Sequence, residues 1–300
     1  MFPREGPEIL ANPEVLEEHY LPTEMPYREK EIDLLQSSLM PALKGRRPLH
    51  VWIYGYSGSG KTALVKYVLN KKEEEFKLRS CFIDCVNYST QYAVLSRLIQ
   101  ELAILGNNQE RSTALKIEII RKGLGERPCI VVLDNMGKLR PKEREKILWT
   151  LCSFEKVGLV CISSSLQVVY SLEERLLDRL CPVVIELPSY PERAICSILK
   201  RRAELSLREG SWGRQVINKV TRLSGPNARL AIHTLRRAAE LAEAESSQKI
   251  TLDHIARAFT QIRSVRSNTI LQRLSRHHRF IYAIVRGHPC LLYTSPSPRD

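Results

Sequence analysis

The stretch "GYSGSGKT", Gly55–Thr62, is the most specific signal in this 300-residue chain. It fits the pattern G-x-x-x-x-G-K-[ST], in which a glycine-rich turn leaves a strand and opens a helix. The apolar run "HVWIY" (50–54) precedes it, and the helical segment "KTALVKYVLNKK" (61–72) follows it. Glycines allow backbone N–H groups to converge on a phosphate without Cβ clashes, and the helix adds its positive N-terminus. A chance glycine-rich turn is the alternative, but the complete motif between the expected elements favours a phosphate-binding loop.

This loop predicts a site for ATP or ADP with Mg²⁺. The Lys61 amine would bridge the β- and γ-phosphates, and the Thr62 hydroxyl would ligate the metal. The candidate nucleotide-binding residues of the loop are Gly55, Tyr56, Ser57, Gly58, Ser59, Gly60, Lys61, Thr62 and Ala63.

Apolar runs rich in β-branched residues continue outward from the loop and alternate with helical segments. Four more such runs follow "HVWIY": "CFIDCV" (81–86), "CIVVLD" (129–134), "LVCIS" (159–163) and "VVIEL" (183–187). Strands that alternate with helices indicate a parallel sheet covered on both faces. The sequence therefore predicts an α/β domain with a five-stranded parallel sheet.

After Pro188 the strands stop, and four amphipathic helical segments predict a small all-helical domain over 189–265.

Asp134 ends the third run at the same predicted edge of the sheet as the loop. A carboxylate there can hold Mg²⁺ through water. A lone aspartate after a strand is more often a turn residue or a helix cap, but the nearby phosphate loop favours the metal role. Thr62 and Asp134 are thus the candidate metal ligands.

The charge of the chain points to a polyanionic partner or an anionic membrane surface. Lys and Arg number 46 against 33 Asp and Glu, a formal charge of +13. Residues 254–289 contain seven arginines and no acidic residue, which is expected of a surface that contacts DNA phosphates, although a solvated helix face would look similar.

The eight cysteines are scattered singly and are expected to be buried, reduced thiols. Neither a secretion signal nor a membrane span is indicated, so a cytoplasmic protein is expected.

The chain resembles a known family over residues 12–289: the archaeal replication initiators of the origin-recognition/cell-division-control-six type, within the AAA+ ATPases. "VVLDN" is similar to the family's Walker B strand, "VCISSSL" to its sensor 1 strand, and "LEERLLDRL" to its arginine-finger segment. "LPSYPERAICSILKRRAE" is similar to the entry into its lid, and "GPNARLAIHTLRRAAELAE" to its sensor 2 helix. The resemblance implies an AAA+ core (1–188), a helical lid (189–265) and a winged-helix DNA-binding domain, of which 266–289 is the start.

The resemblance also implies roles for single residues. Arg229 would be sensor 2, reaching from the lid toward the γ-phosphate, although most helix arginines are merely solvated. Arg175 would be an arginine finger offered to a neighbouring subunit, with an ordinary ion pair to an adjacent glutamate as the alternative. Arg28 and Tyr190 would lie near the adenine, and for Tyr190 a packed core ring is the alternative.

Two positions depart from the family pattern. Asn135 stands where the Walker B strand usually carries its glutamate, and Ser164 stands at the sensor 1 position that usually holds asparagine. An amide cannot accept a proton, and loss of general-base assistance typically costs a factor of about 10² to 10⁴. Asp134, Asn135, Ser164, Arg175 and Arg229 are the candidate catalytic residues, and slow or absent hydrolysis is expected.

The resulting expectation is an ATP-binding initiator that recognises double-stranded origin DNA and supports helicase loading, with paralogous initiator subunits as further partners. The alternative is an AAA+ signalling or mobile-element regulator whose partner is a protein.

Residues 290–300, "CLLYTSPSPRD", resemble the translation of a sequencing adapter, with a genuine Ser/Pro-rich tail as the alternative.

Overall fold

The computed structural model describes residues 8–76, 79–102, 112–273 and 275–287. Its single sheet has five parallel strands in the order β2-β3-β4-β1-β5. This confirms the predicted α/β class. The strands are β1 Val51–Tyr54, β2 Arg79–Asp84, β3 Cys129–Asp134, β4 Val157–Ser163 and β5 Val183–Glu186.

Helices cover both faces of the sheet and form the whole of the second domain. In the core they are α1 Glu29–Leu43, α2 Lys61–Phe76, α3 Gln91–Glu101, α4 Thr113–Leu124, α5 Pro141–Cys152, α6 Gln167–Tyr170 and α7 Glu174–Leu180. In the lid they are α8 Glu192–Ser206, α9 Arg214–Ser224, α10 Ala228–Ala244 and α11 Leu252–Arg273, followed by α12 Arg276–Gly287. Proline opens α5 at its first position, where no intrahelical N–H bond is lost.

The alternation of side chains along β3 creates two separate apolar layers. Val131 and Leu133 pack on one face beneath α3 and α5, and Ile130 and Val132 pack on the other beneath α1 and α2. Because both faces are covered, all six residues of the strand are buried. The strand therefore delivers Asp134 to a fixed place at the carboxyl edge of the sheet.

The N-terminal segment before α1 packs on the lid helices. Ile9, Leu10 and Leu16 belong to the lid's apolar core, and Leu10 pairs with Leu207 in an antiparallel bridge. The N–H groups of Ile9 and Leu10 both donate to the Glu243 carboxylate, each at 2.8 Å. The N-terminal segment thus links the lid to α1 of the core.

Helix α11 continues without a break across residue 265, where the sequence places a domain boundary, and ends at Arg273. The start of the winged-helix domain predicted over 266–289 lies only partly within the described residues, and the tail 290–300 lies outside them. No described helix combines the length and apolarity needed to cross a membrane.

Most of the thiols behave as the sequence predicts. Cys81, Cys85, Cys129, Cys152 and Cys161 are buried, whereas Cys181 is exposed and Cys196 is half-buried. Cys181 adopts a left-handed backbone at φ 37° and ends α7, so its side chain leaves the apolar layer.

Candidate nucleotide-binding site

The phosphate loop joins β1 to α2, and each of its three glycines is required by a close neighbour. All three have positive φ: 154° at Gly55, 84° at Gly58 and 92° at Gly60. A Cβ on Gly55 would lie 2.3 Å from the carbonyl oxygen of Leu187, and one on Gly58 would lie 2.2 Å from Oδ1 of Asn227. Only glycine fits such approaches, so the loop backbone is left open for a ligand while the lid residue Asn227 touches its apex.

Lys61 is held within the loop. Its Nζ donates to the carbonyl oxygens of Gly55 at 2.7 Å and of Tyr56 at 2.8 Å. The pKa of the Lys61 amine is lowered, mainly by burial. The Asp134 carboxylate opposes this shift, and the Arg229 guanidinium adds to it. The buried hydroxyl of Ser59 finds no hydrogen-bond partner among the described residues. An amine paired only with carbonyls and an unsatisfied hydroxyl fit a phosphate group.

Thr62 and Asp134 meet where the sequence predicts a metal site. The Thr62 hydroxyl donates to Oδ2 of Asp134 at 2.7 Å, and the Asn135 N–H donates to Oδ1 at 2.7 Å. Asp134 is 6% exposed. Burial raises the pKa of its carboxyl, and the two hydrogen bonds act in the opposite direction. A hydroxyl and a carboxylate are the oxygen ligands that Mg²⁺ prefers, so these residues fit that ion.

Asn135 contacts a carboxylate that sequence reasoning did not single out. Its backbone is left-handed at φ 61°, ψ 35°, and its Nδ2 donates to Oδ1 of Asp84 at 3.0 Å. Asp84 ends β2 and is the register partner of Asp134 on β3. The only signal in the sequence is an aspartate near the end of the apolar run "CFIDCV". Nothing in the sequence indicates that this run lies beside β3.

The serines at the end of β4 have different environments. The Ser163 hydroxyl accepts a hydrogen bond from the Trp52 indole N–H at 3.0 Å and donates to the carbonyl oxygen of Ser165 at 2.8 Å. Ser163 therefore stabilises the sheet. Ser164 is exposed, one residue beyond the strand, at the carboxyl edge that also carries the phosphate loop.

Arg28 is buried at 2% exposure and bridges three parts of the fold. Its Nη2 donates to the carbonyl oxygens of Ser59 at 3.1 Å and Pro188 at 2.6 Å, and its guanidinium lies 4.1 Å from the centroid of the Tyr190 ring. Tyr190 is itself 5% exposed, and its hydroxyl is the nearest neighbour of a Cβ placed on Gly60, at 2.9 Å. Both residues support the loop, Arg28 from the start of α1 and Tyr190 from the start of the lid, and their contact with a nucleotide stays a prediction.

Arg229 stands in the first turn of α10, where Asn227 caps the helix by accepting from the Leu230 N–H at 3.0 Å. The Arg229 Nη2 lies 2.7 Å from Oε1 of Glu18, in the N-terminal segment. The structure thus brings the predicted sensor 2 residue, the phosphate loop and an unpredicted glutamate into one region.

Arg175 lies on α7 with an exposed side chain. Among the ion pairs of the described residues, none involves Arg175 and none joins it to Glu173 or Glu174. Its proposed action on a neighbouring subunit therefore needs a partner chain and stays a prediction.

The basic C-terminal stretch is not uniformly available to a polyanion. Arg257 forms ion pairs with Glu245 at 2.6 Å and Asp253 at 2.7 Å, so acidic residues just outside the stretch neutralise it. On α12, Arg276 is exposed, as are the apolar side chains of Phe280 and Ile281.

Family models match both domains of the chain. A model described as "AAA domain" matches residues 45–180, and one described as "Cdc6 AAA+ ATPase-type lid domain" matches residues 196–260. These two matches include the phosphate loop, strands β1 to β4 and much of the lid helices. The first match includes Gly55–Thr62 and Asp134, whose roles at a bound nucleotide stay predictions.

Similar proteins carry consistent names. The ORC1-type DNA replication protein of Thermococcus kodakarensis is 32% identical over 300 residues, covering 92% of this chain and 72% of that protein. ORC1-type DNA replication protein 1 of Sulfurisphaera tokodaii is 31% identical, covering 93% and 74%. The structure of the Aeropyrum pernix ORC1 protein in complex with DNA superposes with a TM-score of 0.79 at 26% identity, covering 94% of this chain and 77% of that one. The chain belongs to the family of ORC1-type DNA replication proteins.

Proposed function

We propose that this protein is a DNA replication initiator that binds ATP with Mg²⁺ and recognises duplex DNA at a replication origin. ATP acts mainly as a conformational ligand that holds the lid against the core. The observation that carries the proposal is the junction of the two domains at the phosphate loop, where Gly58 touches Asn227 of the lid.

Each loop residue has a defined task in this proposal. Lys61 would bind phosphate oxygens in place of its carbonyl partners, and Thr62 and Asp134 would hold the metal. Arg229, whose charge already influences Lys61, pairs with the terminal phosphate from the lid side. Bound Mg²⁺ and ATP supply the charge that links the two domains. Loss of the nucleotide would remove this charge and leave the direct protein contacts between the two domains.

Hydrolysis is proposed to be weak. Asn135 provides an amide where a glutamate would accept a proton, and Ser164 is too short to replace the longer asparagine side chain of sensor 1. Single-turnover hydrolysis tests this proposal: an Asn135→Glu variant is expected to be about 10²-fold faster than the natural chain. Equal rates would contradict weak hydrolysis without touching the proposal that ATP binds.

DNA recognition rests on family membership and on charge. The Aeropyrum pernix ORC1 protein was solved in complex with DNA, and this chain exposes Arg276 on an acid-free helix. Arginines that contact backbone phosphates release counterions, so affinity falls steeply with salt. Helicase loading, assembly with paralogous subunits through Arg175 and a cytoplasmic location belong to the same proposal.

The test is fluorescence anisotropy of a labelled duplex with the 300-residue chain, in the presence of ATP, ADP or neither. We expect binding that weakens with salt and that differs between ATP and ADP. A Lys61→Ala variant, which loses nucleotide binding, is expected to show one DNA affinity in all three conditions. DNA binding by the natural chain that ignores the nucleotide would contradict a conformational role for ATP.

A further inference from the structure

We propose that Asp84 supplies the carboxylate that activates water for the residual ATP hydrolysis of this protein, with Asn135 as its amide partner. The proposal rests on the proposed function in one respect, namely that ATP binds at the phosphate loop. It assigns a catalytic task to a residue on β2 rather than on the Walker B strand β3.

Asp84 lies at the carboxyl edge of the sheet, where the nucleotide site is predicted. It is the last residue of β2 and the register partner of Asp134, the predicted metal ligand on β3. Neighbouring strands lie about 4.8 Å apart, so the two carboxylates flank each other at the end where Thr62 joins Asp134 at 2.7 Å. Asp84 is half-exposed, and water therefore reaches a group that stands beside the predicted metal site.

Asn135 couples the two strand ends. Asparagine tolerates the left-handed backbone that follows Asp134, and this conformation brings its Nδ2 within 3.0 Å of Oδ1 of Asp84. Because an ionised carboxylate only accepts hydrogen bonds, the amide must present its NH₂ group to Asp84. The Asn135 carbonyl oxygen is then available to accept a hydrogen bond from water. Together the pair supplies a proton acceptor, Asp84 on β2, and a hydrogen-bond acceptor that orients the water, Asn135 after β3. A single glutamate after β3 would supply both.

The other contacts of Asp84 limit its capacity to hold an attacking water. It also accepts from the Val86 N–H at 3.0 Å and from Nδ2 of Asn87 at 3.1 Å. A carboxylate has about four lone-pair sites, and three protein donors occupy most of them. These bonds leave few lone-pair sites for an attacking water. Slow hydrolysis that nevertheless depends on Asp84 is the expected result.

The reaction step balances without a further reactant. Asp84 accepts one proton from the water, the water oxygen forms a bond to the γ-phosphorus, and the bond from that phosphorus to the ADP oxygen breaks with its electron pair on ADP. The Asn135 carbonyl oxygen accepts a hydrogen bond from the remaining O–H of the water and so orients the water.

The test combines single-turnover hydrolysis with a direct binding measurement. Asp84→Asn is expected to lower the rate at least tenfold, while the Kd for a fluorescent ATP analogue stays within about twofold and the melting temperature shows a folded protein. The control Asp178→Asn, an exposed carboxylate on α7, is expected to leave both unchanged. An Asp84→Asn rate equal to that of the natural chain would overturn the proposal, as would ATP binding without any measurable turnover.

A charge exchange between the strands gives an independent result. Asp84→Asn combined with Asn135→Glu moves the carboxylate to β3 and the amide to β2, and is expected to restore hydrolysis to at least the natural rate. Asp84→Asn with Asn135→Gln is expected to stay inactive. Failure of the exchange to rescue a folded, ATP-binding double variant would also overturn the proposal. A natural chain that binds no ATP would instead refute the proposed function.

Discussion

Glu18 and Arg229 form an ion pair of 2.7 Å that ties the N-terminal segment to the first turn of the lid helix α10. The same segment pairs Glu17 with Arg236, about two helical turns further along, at 2.5 Å. Arg229 is the residue expected to bind the terminal phosphate of ATP. In this structure its guanidinium is instead paired with the Glu18 carboxylate. We therefore expect the Glu18 carboxylate and the phosphate to compete for Arg229.

Glu18→Gln is therefore expected to raise the affinity for ATP. An exposed ion pair contributes about 0.2–1 kcal/mol, which corresponds to a Kd about 1.5- to 5-fold lower. ADP lacks the terminal phosphate, so its Kd should not change. Glu17→Gln is the matched control, because it breaks the pair to Arg236 and leaves Arg229 alone. Titration of a fluorescent ATP analogue and its ADP counterpart measures both, and an equal gain for ADP would contradict this competition.

Gly58→Ala is expected to weaken ATP binding about tenfold, or about 1.4 kcal/mol. The new Cβ would lie 2.2 Å from Oδ1 of Asn227, so the lid must move away from the loop. Gly45→Ala is a matched control: its φ of +66° is close to the +84° of Gly58, but nothing lies within 4 Å of the added carbon. Both variants carry the strain of a left-handed alanine, and only Gly58→Ala loses the lid contact.

Calorimetric titration with ATP measures the affinity of both glycine variants. Asn227→Gly in the Gly58→Ala background removes the obstructing side chain and is expected to recover part of the lost affinity. Equal effects of the two alanines would show that backbone strain, and not the contact with the lid, determines nucleotide binding.

The sheet could be predicted from the sequence because local patterns determine it. Each of the five predicted apolar runs overlaps an observed strand, with β2 and β4 beginning two residues earlier than predicted. The phosphate loop follows from a contiguous motif, and Thr62 meets Asp134 because a parallel sheet places both at its carboxyl edge. These features need no knowledge of distant contacts.

Contacts between distant residues could not be predicted. Asn135 reaches Asp84 across 51 positions, and Arg28 reaches Pro188 across 160. A single sequence carries no signal for which of its many charged residues will meet. The segment around Glu18 likewise contains no regular pattern that would assign it to the lid. Partners such as Asp84 and Glu18 become visible only when the strand order and the lid position are known.

Arg28→Lys is expected to lower the free energy of unfolding by about 1–3 kcal/mol. The guanidinium bonds to Ser59 and Pro188 and stacks on Tyr190, and an ammonium cannot satisfy that planar arrangement. Arg193→Lys is the control, because Arg193 is exposed and lies 5.6 Å from the Tyr27 ring centroid. It is expected to change stability by less than about 0.5 kcal/mol. Urea unfolding compares the two, and similar losses would argue against a bridging role for Arg28.

His50 is expected to make the fold sensitive to mild acid. It is 6% exposed, its Nδ1 accepts from the Leu159 N–H at 3.0 Å, and Arg47 lies 2.6 Å from its Nε2. Burial, reinforced by the Arg47 charge, lowers the pKa of His50 from 6.5 to about 4. Between these values the unfolded chain binds the proton and the folded chain does not. The stabilisation is therefore complete above pH 6.5 and is lost as the pH falls toward 4.

The expected loss from this one group approaches about 3 kcal/mol at pH 4. His50→Gln removes the titrating ring, so its free energy of unfolding should fall less than that of the natural chain between pH 7 and pH 4.5. His277→Gln, at an exposed position on α12, is the control and should follow the natural chain. Urea unfolding at several pH values measures the three proteins, and the difference between them removes the contribution of the carboxylates. Parallel curves for His50→Gln and the natural chain would show that the proton on His50 does not determine acid stability.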